Sequence, residues 1–294
     1  MSDKYRDTIA ASNINADDEK IKIAVAKILD EHSNENKNQE VYKFLLNSID
    51  LTMLNSTDSS QSVSKFVERV NKFEEVYGEL KNVASICVYP CFASVAQSVL
   101  EVSDVNIACV SACFPSSQSF IEVKVAETAL AIDGGADEID AVFNLGNYFD
   151  EDYESACDEI TELKAACRDK KLKIILETGA LKTAKDIKAA SILSLYSGAD
   201  FLKTSTGKEY PGATHEAVYI MAKCIKEYHS KTGNMVGIKI SGGVTTTDEA
   251  VAYYTIVKEV LGSKWLTNKY FRIGASRLAN KLLSDIIGSE TNFF

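Results

Sequence analysis

The stretch Ala199–Lys208 reads ADFLKTSTGK: a short apolar run ends in Lys203 and is followed at once by a loop of small residues. The stretch Val236–Gly243, VGIKISGG, repeats this pattern with Lys239 near the end of the run. Short apolar runs bounded by small and polar residues are typical of buried parallel strands. Both stretches are therefore predicted to be strands that end in a lysine and a tight loop.

Around these two stretches, strand-like and helix-like segments alternate from residue 49 onward. The predicted strands are Ile49–Leu51, Ala84–Val88, Ile107–Val110, Glu138–Phe143, Leu172–Leu176, Phe201–Lys203, Val236–Ile240 and Phe271–Gly274. The predicted helices include Ser62–Tyr77, Ser119–Ile132, Asp152–Arg168, Ala184–Tyr196, His215–Tyr228 and Thr247–Leu261. Eight strands with intervening helices predict an α/β fold of the (β/α)8 TIM-barrel type. A doubly wound sheet fits less well, because no G-x-G-x-x-G follows the first strands.

A short helical extension is predicted to precede the barrel. Residues 1–16 are polar and expected to be flexible, and residues 17–48 have helical periodicity with a break near residue 34. The predicted (β/α)8 barrel then covers residues 49–288, and residues 289–294 form a short C-terminal tail. We expect the extension to cover the barrel bottom or to form an oligomer contact.

Composition excludes several classes of partner. With 32 basic and 42 acidic residues the net charge is −10, which disfavours broad binding to nucleic acid or to anionic membranes. The seven cysteines are scattered and form no CxxC with partner histidines, so reduced thiols are expected. The N-terminus lacks a signal-peptide core, and a cytoplasmic location is predicted. None of the three histidines lies at a predicted strand end, so neither a metal nor another cofactor is predicted.

Lys203 and Lys239 are expected to be neighbours, because they lie on the sixth and seventh predicted strands. The active site of a (β/α)8 barrel lies at the carboxyl ends of its strands. A desolvated lysine beside a second cation has a lowered pKa and a free lone pair for attack on a carbonyl. The loops that follow offer backbone N–H groups and hydroxyls suited to phosphate. The pattern predicts a Schiff-base enzyme for a phosphorylated carbonyl compound.

Further polar residues fall within the predicted strands. Asp50, Asp140 and Lys173 lie on the first, fourth and fifth strands, and Cys87 lies on the second. Buried polar groups are costly unless they pair, so a shared internal network is predicted. The alternatives are a structural hydrogen bond for Asp50, an ordinary ion pair of Lys173 with Glu177, and simple packing for Cys87.

These segments resemble the 2-deoxyribose-5-phosphate aldolase family of class I aldolases, over about residues 45 to 288. The segments that carry the resemblance are Ile49–Asn55, Ala84–Pro90, Glu138–Asp140, Leu172–Gly179, Phe201–Lys208, Val236–Val244 and Phe271–Ser276. The resemblance implies reversible cleavage of 2-deoxy-D-ribose 5-phosphate to acetaldehyde and D-glyceraldehyde 3-phosphate through a lysine Schiff base. Such a reaction belongs to deoxyribonucleotide catabolism and requires no metal.

The resemblance also implies roles for individual residues. Lys203 would form the Schiff base, Lys239 would lower its pKa, and Asp140 would take part in proton transfer through a water. Asp50 and Lys173 would complete the network, with Cys87 lining the pocket. Phosphate would be held by Gly207, Lys208, Gly242, Gly243 and Ser276.

The chain departs from the family pattern at three places. Many members have proline where this chain has Ile240, and serine or threonine where it has Arg277, which either contacts phosphate or projects outward. Members often end in a tail tyrosine, whereas this sequence ends in Phe293 and Phe294. The alternative hypothesis is therefore a divergent paralogue with weak or no turnover that acts as a binding or scaffold protein, for example for a cytoskeletal partner. A homodimer is expected because dimers are common among such barrels.

Overall fold

Eight parallel strands form a closed barrel in the computed structural model, which describes residues 4–294. The strands are β1 (Ile49–Thr52), β2 (Ser85–Val88), β3 (Asn106–Ser111), β4 (Glu138–Val142), β5 (Lys171–Ile175), β6 (Phe201–Lys203), β7 (Gly237–Ser241) and β8 (Phe271–Ala275). Each strand pairs with the next, and β8 pairs with β1. The predicted (β/α)8 TIM barrel is thus confirmed, and the doubly wound sheet is excluded because the sheet has no edge.

Helices surround the barrel. They are α1 (Lys4–Ala10), α2 (Asp18–His32), α3 (Gln39–Asn47), α4 (Ser60–Asn71), α5 (Phe73–Tyr77), α6 (Ala93–Val99), α7 (Ile121–Asp133), α8 (Leu145–Phe149), α9 (Tyr153–Ala166), α10 (Thr178–Leu181), α11 (Ala184–Tyr196), α12 (His215–Thr232), α13 (Thr247–Leu261) and α14 (Leu278–Ile287). The single helix predicted over Ser62–Tyr77 is two helices, separated at Lys72. Helix α6 was not predicted because its seven residues are too few for a clear periodic pattern. Among residues 4–294, no helix combines the length and apolar character needed to cross a bilayer.

Threonines begin three of the helices that follow strands. The side chains of Thr183, Thr214 and Thr246 each accept a hydrogen bond from the backbone N–H three residues later, at the starts of α11, α12 and α13. Such N-caps satisfy backbone donors that would otherwise have no partner. They also fix where the chain turns from strand to helix, and these turns surround the carboxyl end of the barrel.

The core lies between the sheet and the surrounding helices. Leu202, Ile240 and Ile273 point away from the barrel axis and are completely buried in this layer. Because side chains alternate along a strand, their neighbours Lys203 and Lys239 point into the barrel. Ile240, at the position where many family members have proline, is therefore a packing residue.

The residues before β1 pack against the outer helices. Helix α1 contacts α11, α2 contacts α12 and α13, and α3 contacts α13 and α14. Of the segment predicted to be flexible, residues 1–3 lie outside the described residues, and α1 follows them. The division at residues 16, 48 and 288 remains a proposal.

The last residues pack on the outside of the barrel. The ring of Phe294 stacks on Phe73 with centroids 5.2 Å apart, and Phe293 contacts the same ring edge-on at 5.7 Å. The amide of Asn280 donates to the carbonyl of Phe294 at 2.9 Å and accepts from its N–H at 2.8 Å. The terminal aromatic residues thus contribute to the helical layer.

Candidate active site

Seven charged side chains from six strands meet inside the barrel. They are Asp50 on β1, Glu138 and Asp140 on β4, Lys173 on β5, Lys203 on β6, Lys239 on β7 and Arg272 on β8. None of these side chains is more than 4% exposed. We call this set the ion network. Four cations face three carboxylates, so the network carries one positive charge in excess when all groups are ionised.

Lys203 and Lys239 share one carboxylate oxygen. Their Nζ atoms lie 2.8 Å and 2.7 Å from Asp140 Oδ2, and Lys239 Nζ also lies 2.5 Å from Asp50 Oδ2. The two lysines are register partners on adjacent strands, which directs both side chains to the same point of the interior. The structure therefore brings together the three residues predicted to carry the chemistry.

Lys173 and Arg272 hold the deeper part of the ion network. Lys173 Nζ lies 3.1 Å from Asp50, 2.5 Å from Glu138 and 3.0 Å from Asp140. Arg272 donates to Asp50 at 2.5 Å and to Glu138 at 2.9 Å. The alternative ion pair of Lys173 with Glu177 is wrong, because β5 directs Lys173 inward whereas Glu177 lies beyond the strand end.

The three lysines of the ion network differ in their number of carboxylate partners. Lys203 contacts one carboxylate, Lys239 contacts two and Lys173 contacts three. Burial lowers the pKa of Lys203, the single contact with Asp140 offsets this only in part, and repulsion by Lys239 lowers it further. Burial also acts on Lys239, but attraction by Asp140 and Asp50 raises its pKa above the ordinary value. Lys203 is consequently the cation of the network that most readily loses its proton.

The carboxylates of the network stay ionised. Burial would raise the pKa of Asp140, but attraction by Lys173, Lys203 and Lys239 outweighs it and holds the value well below the ordinary range. Asp50 behaves likewise, with Arg272 in place of Lys203 among the attracting groups. An ionised Asp140 can accept hydrogen bonds from both lysines, but it does not itself retain a proton near neutral pH.

Cys87 lies beside the ion network in an apolar cluster. Its completely buried side chain packs with Leu54, Ala108 and Val110. Burial raises the pKa of the Cys87 thiol, which is the opposite of what a reactive thiolate requires. The contacts of Cys87 are therefore those of a packing residue, and Cys87 is not among the residues that line the cavity at the carboxyl end of the barrel.

A cavity of about 370 Å³ opens above Lys203 at the carboxyl end of the barrel. Its lining includes all five predicted phosphate-binding residues: Gly207, Lys208, Gly242, Gly243 and Ser276. The three glycines have φ of 74°, 84° and 87°, the left-handed region that other residues adopt only with strain. The side chain of Lys208 reaches across to the carbonyl of Leu54 at 2.5 Å, so the loops after β6 and β1 meet at this cavity.

Close backbone contacts shape the same wall. A Cβ added to Gly212 would lie 2.1 Å from the carbonyl oxygen of Gly242, so the loops after β6 and β7 touch directly. A Cβ added to Gly274 would lie 3.1 Å from Cε of Lys239. Glycine at these two positions therefore provides the space that the loops after β6 and β7 and the side chain of Lys239 occupy.

This arrangement of a desolvated lysine, a neighbouring cation and a glycine-lined cavity agrees with the result of family comparison. The sequence model of the DeoC/LacD family aldolases matches residues 44–260, which include strands β1 to β7. The chain belongs to the DeoC/LacD aldolase family. As an aldolase it is an enzyme of the carbon–carbon lyase class.

Relatives of this DeoC/LacD aldolase cover most of its length. A Caenorhabditis elegans protein assigned as a deoxyribose-phosphate aldolase is 39% identical over 272 residues, spanning 92% of this chain and 89% of the relative. Human deoxyribose-phosphate aldolase is 37% identical over 248 residues, spanning 81% and 77% of the two chains. The solved structure of QR15, an aldolase, superposes with a TM-score of 0.67 at 26% identity, covering 83% of this chain and 98% of that one.

Several residues at the site of this DeoC/LacD aldolase were missed by sequence reasoning. Arg272 and Glu138 belong to the ion network, and both lie at inward positions of predicted strands, which was the available signal. Thr206 and Thr245 also line the cavity, from loops whose N–H groups and hydroxyls were expected to suit phosphate, although neither threonine was named as a site residue. Arg277 also lines the cavity, so of its two predicted orientations the structure shows the one toward the cavity.

Proposed function

We propose that the chain cleaves 2-deoxy-D-ribose 5-phosphate reversibly to acetaldehyde and D-glyceraldehyde 3-phosphate through a Schiff base on Lys203. The observation that carries the proposal is the position of Lys203. It is the one cation of the ion network whose pKa is lowered, and it lines the cavity that also contains the glycine-rich loops. The names of the curated relatives support the choice of substrate.

The proposed chemistry begins with the neutral amine of Lys203. The amine attacks the C1 aldehyde, and loss of water from the carbinolamine leaves a protonated imine. The C3 hydroxyl then loses its proton and becomes the aldehyde of D-glyceraldehyde 3-phosphate as the C2–C3 bond breaks. The electron pair of that bond moves into the imine to form an enamine, and D-glyceraldehyde 3-phosphate leaves. Protonation of the enamine at C2 gives an imine again. Hydrolysis of this imine consumes one water, in place of the one lost earlier, releases acetaldehyde and restores the amine of Lys203.

Lys239 and Asp140 take different parts in this scheme. Because Lys239 contacts two carboxylates, it stays protonated while Lys203 is neutral, and its charge repels a proton on Lys203. Asp140 contacts both amines but has a pKa too low to hold a proton itself. Its part in proton transfer is therefore to orient a water and the two nitrogens, which agrees with a relay through water. Asp50 and Lys173 support this arrangement, and Cys87 packs beside it.

The glycine-rich side of the cavity suits the 5-phosphate. Gly207, Gly242 and Gly243 expose backbone N–H groups, and Lys208 and Arg277 place cations at the same cavity. Helix α14 begins immediately after Arg277 with no side-chain cap, and the positive end of its dipole favours an anion there. These features supply a local anion site on a chain whose net charge is −10.

Trapping with borohydride tests the Schiff base directly. Incubation with 2-deoxyribose 5-phosphate and sodium borohydride is expected to place a stable adduct on Lys203, detected by peptide mass spectrometry, and Lys203→Met should give no adduct. An unmodified Lys203 peptide in a sample that consumes substrate would refute the proposal. A coupled assay that finds no turnover and no adduct would instead favour the binding or scaffold alternative. The cytoplasmic location and the homodimer also remain proposals.

A further inference from the structure

Glu177 occupies a strained position immediately after β5. Its backbone has φ 54° and ψ 60°, a left-handed conformation that costs a non-glycine residue free energy. Its side chain is buried, with only 3% of the residue exposed, and it is not part of the ion network. A strained and buried carboxylate beside an active site requires a compensating interaction, and its contacts show what that interaction is.

The carboxylate of Glu177 binds both polar groups of Thr206. The backbone N–H of Thr206 donates to Oε1 at 3.2 Å, and the Thr206 hydroxyl donates to Oε2. The same hydroxyl accepts a hydrogen bond from the backbone N–H of Lys208 at 3.2 Å. The chain of contacts therefore runs from Glu177 through Thr206 to Lys208, and it spans the turn at Gly207.

Both carboxylate oxygens of Glu177 accept hydrogen bonds from Thr206, which is the arrangement of an ionised carboxylate. Burial raises the pKa of Glu177, and the two hydrogen bonds from Thr206 act against this rise. Donation by the Thr206 hydroxyl also leaves its lone pairs free for the N–H of Lys208. An amide side chain in place of Glu177 could still accept from the Thr206 N–H and donate its NH₂ group to the Thr206 hydroxyl, but both contacts would lose the charge of the carboxylate that strengthens them.

The loop that carries Glu177 is itself held against the loop after β6. The N–H of Thr178 donates to the carbonyl of Thr204 at 2.9 Å. A Cβ added to Gly179 would lie 2.3 Å from the carbonyl oxygen of Pro211, so the two loops also touch at a second place. Glu177 is thus a fixed point from which the turn of residues 206–208 is positioned.

We propose that Glu177 is a positioning residue for the turn of residues 206–208, and that it sets the affinity of the site for the phosphate group of the substrate. Glu177 does not line the cavity, whereas Thr206, Gly207 and Lys208 do, so it acts through Thr206. The inference rests on the proposed function. Under this inference, Glu177, on the loop after β5, contributes to selection of the phosphorylated over the unphosphorylated sugar.

The test compares two substrates in Glu177→Gln. Because two charge-assisted hydrogen bonds become weaker neutral ones, KM for 2-deoxyribose 5-phosphate is expected to rise about tenfold, while kcat changes little. The kcat/KM for unphosphorylated 2-deoxyribose should stay at the wild-type value, because that sugar has no group for the turn to bind. Glu177→Asp, which is one methylene shorter, should not restore the lost affinity.

Glu127→Gln is a matched control. Glu127 is also a carboxylate that accepts a loop N–H at a strand end, from Cys113 at 2.9 Å, but on the loop after β3. The Glu127→Gln substitution should leave the ratio of kcat/KM for the phosphorylated and unphosphorylated sugars unchanged. If Glu177→Gln lowers kcat/KM for both sugars equally, or changes neither, the inference is overturned.

Two further outcomes are distinguishable. If Glu177→Gln does not fold, Thr206→Val removes the connecting hydroxyl at nearly constant volume and should reduce the same ratio; an unchanged ratio would refute the inference. If the wild-type chain cleaves neither sugar, the proposed function fails first. In that case, inorganic phosphate binding measured by calorimetry still tests Glu177, with weaker binding expected in Glu177→Gln and equal binding counting against the inference.

Discussion

Replacing Lys239 with methionine should raise the pKa of Lys203 and shift the pH dependence of the reaction to the alkaline side. The two Nζ atoms lie 2.8 Å and 2.7 Å from Asp140 Oδ2, so they are no farther apart than about 5.5 Å. In the variant, three cations face three carboxylates with Lys203 charged. The protonated form of Lys203, which gives the wild-type network an excess charge, becomes the balanced form.

The magnitude follows from this separation. Two unit charges at about 5.5 Å with an effective dielectric constant near 20 repel by about 3 kcal/mol, which corresponds to about two pKa units. Removal of the repulsion raises the pKa of Lys203 by this amount, and the fraction of neutral amine at pH 7 falls about 100-fold. The loss of Lys239 as a partner of Asp140 acts in the same direction, because Asp140 then attracts Lys203 more strongly.

The assay is the pH profile of kcat/KM for 2-deoxyribose 5-phosphate, together with the yield of borohydride trapping at each pH. Both should fall about 100-fold at pH 7 and recover as the pH rises past the new pKa. Lys171→Met is the control, because Lys171 lies 3.8 Å from Glu138 and is 38% exposed at the far end of β5. A uniform loss of activity at every pH, with the wild-type midpoint retained, would refute the electrostatic reasoning.

Three further predictions concern stability and loop packing. Cations hold the pKa of Asp50 well below its ordinary value, so its stabilising contribution is present above about pH 4 and is lost as the pH falls toward the folded pKa. The free energy of unfolding, measured with urea between pH 7 and pH 2, should therefore depend less steeply on pH in Asp50→Asn than in the wild type. Gly212→Ala places a Cβ 2.1 Å from the carbonyl oxygen of Gly242 and should raise KM for the phosphorylated sugar, measured by steady-state kinetics, and an unchanged KM would contradict the loop contact. Arg272→Met removes one cationic partner from each of two buried carboxylates, which keep their contacts with lysines, and should lower the free energy of unfolding by about 3 kcal/mol; a loss below about 1 kcal/mol would contradict this account.

The comparison of sequence and structure shows where pattern reasoning succeeds. All eight strands were predicted because a buried parallel strand is a near-continuous apolar run, interrupted here by inward-facing charges, and Lys203 and Lys239 were placed side by side because consecutive strands of a barrel are neighbours. Arg272 escaped notice because alternation indicates the face of a strand but not the partner across the barrel. Glu177 was misassigned for the same reason, since its partner Thr206 lies 29 residues away on another loop.

The sequence by itself determined the barrel, the strand ends at which the lysines lie and the small-residue loops that follow them, because these depend on periodicity and chain order. The tertiary structure decided which lysine loses its proton. Lys203 contacts one carboxylate and Lys239 contacts two, and the second, Asp50, comes from β1. That strand is brought into the network by the pairing of β8 with β1, which closes the barrel. The pKa order of the lysines is thus set by long-range contacts, because charge interactions inside the barrel depend on distance and burial rather than on position in the chain.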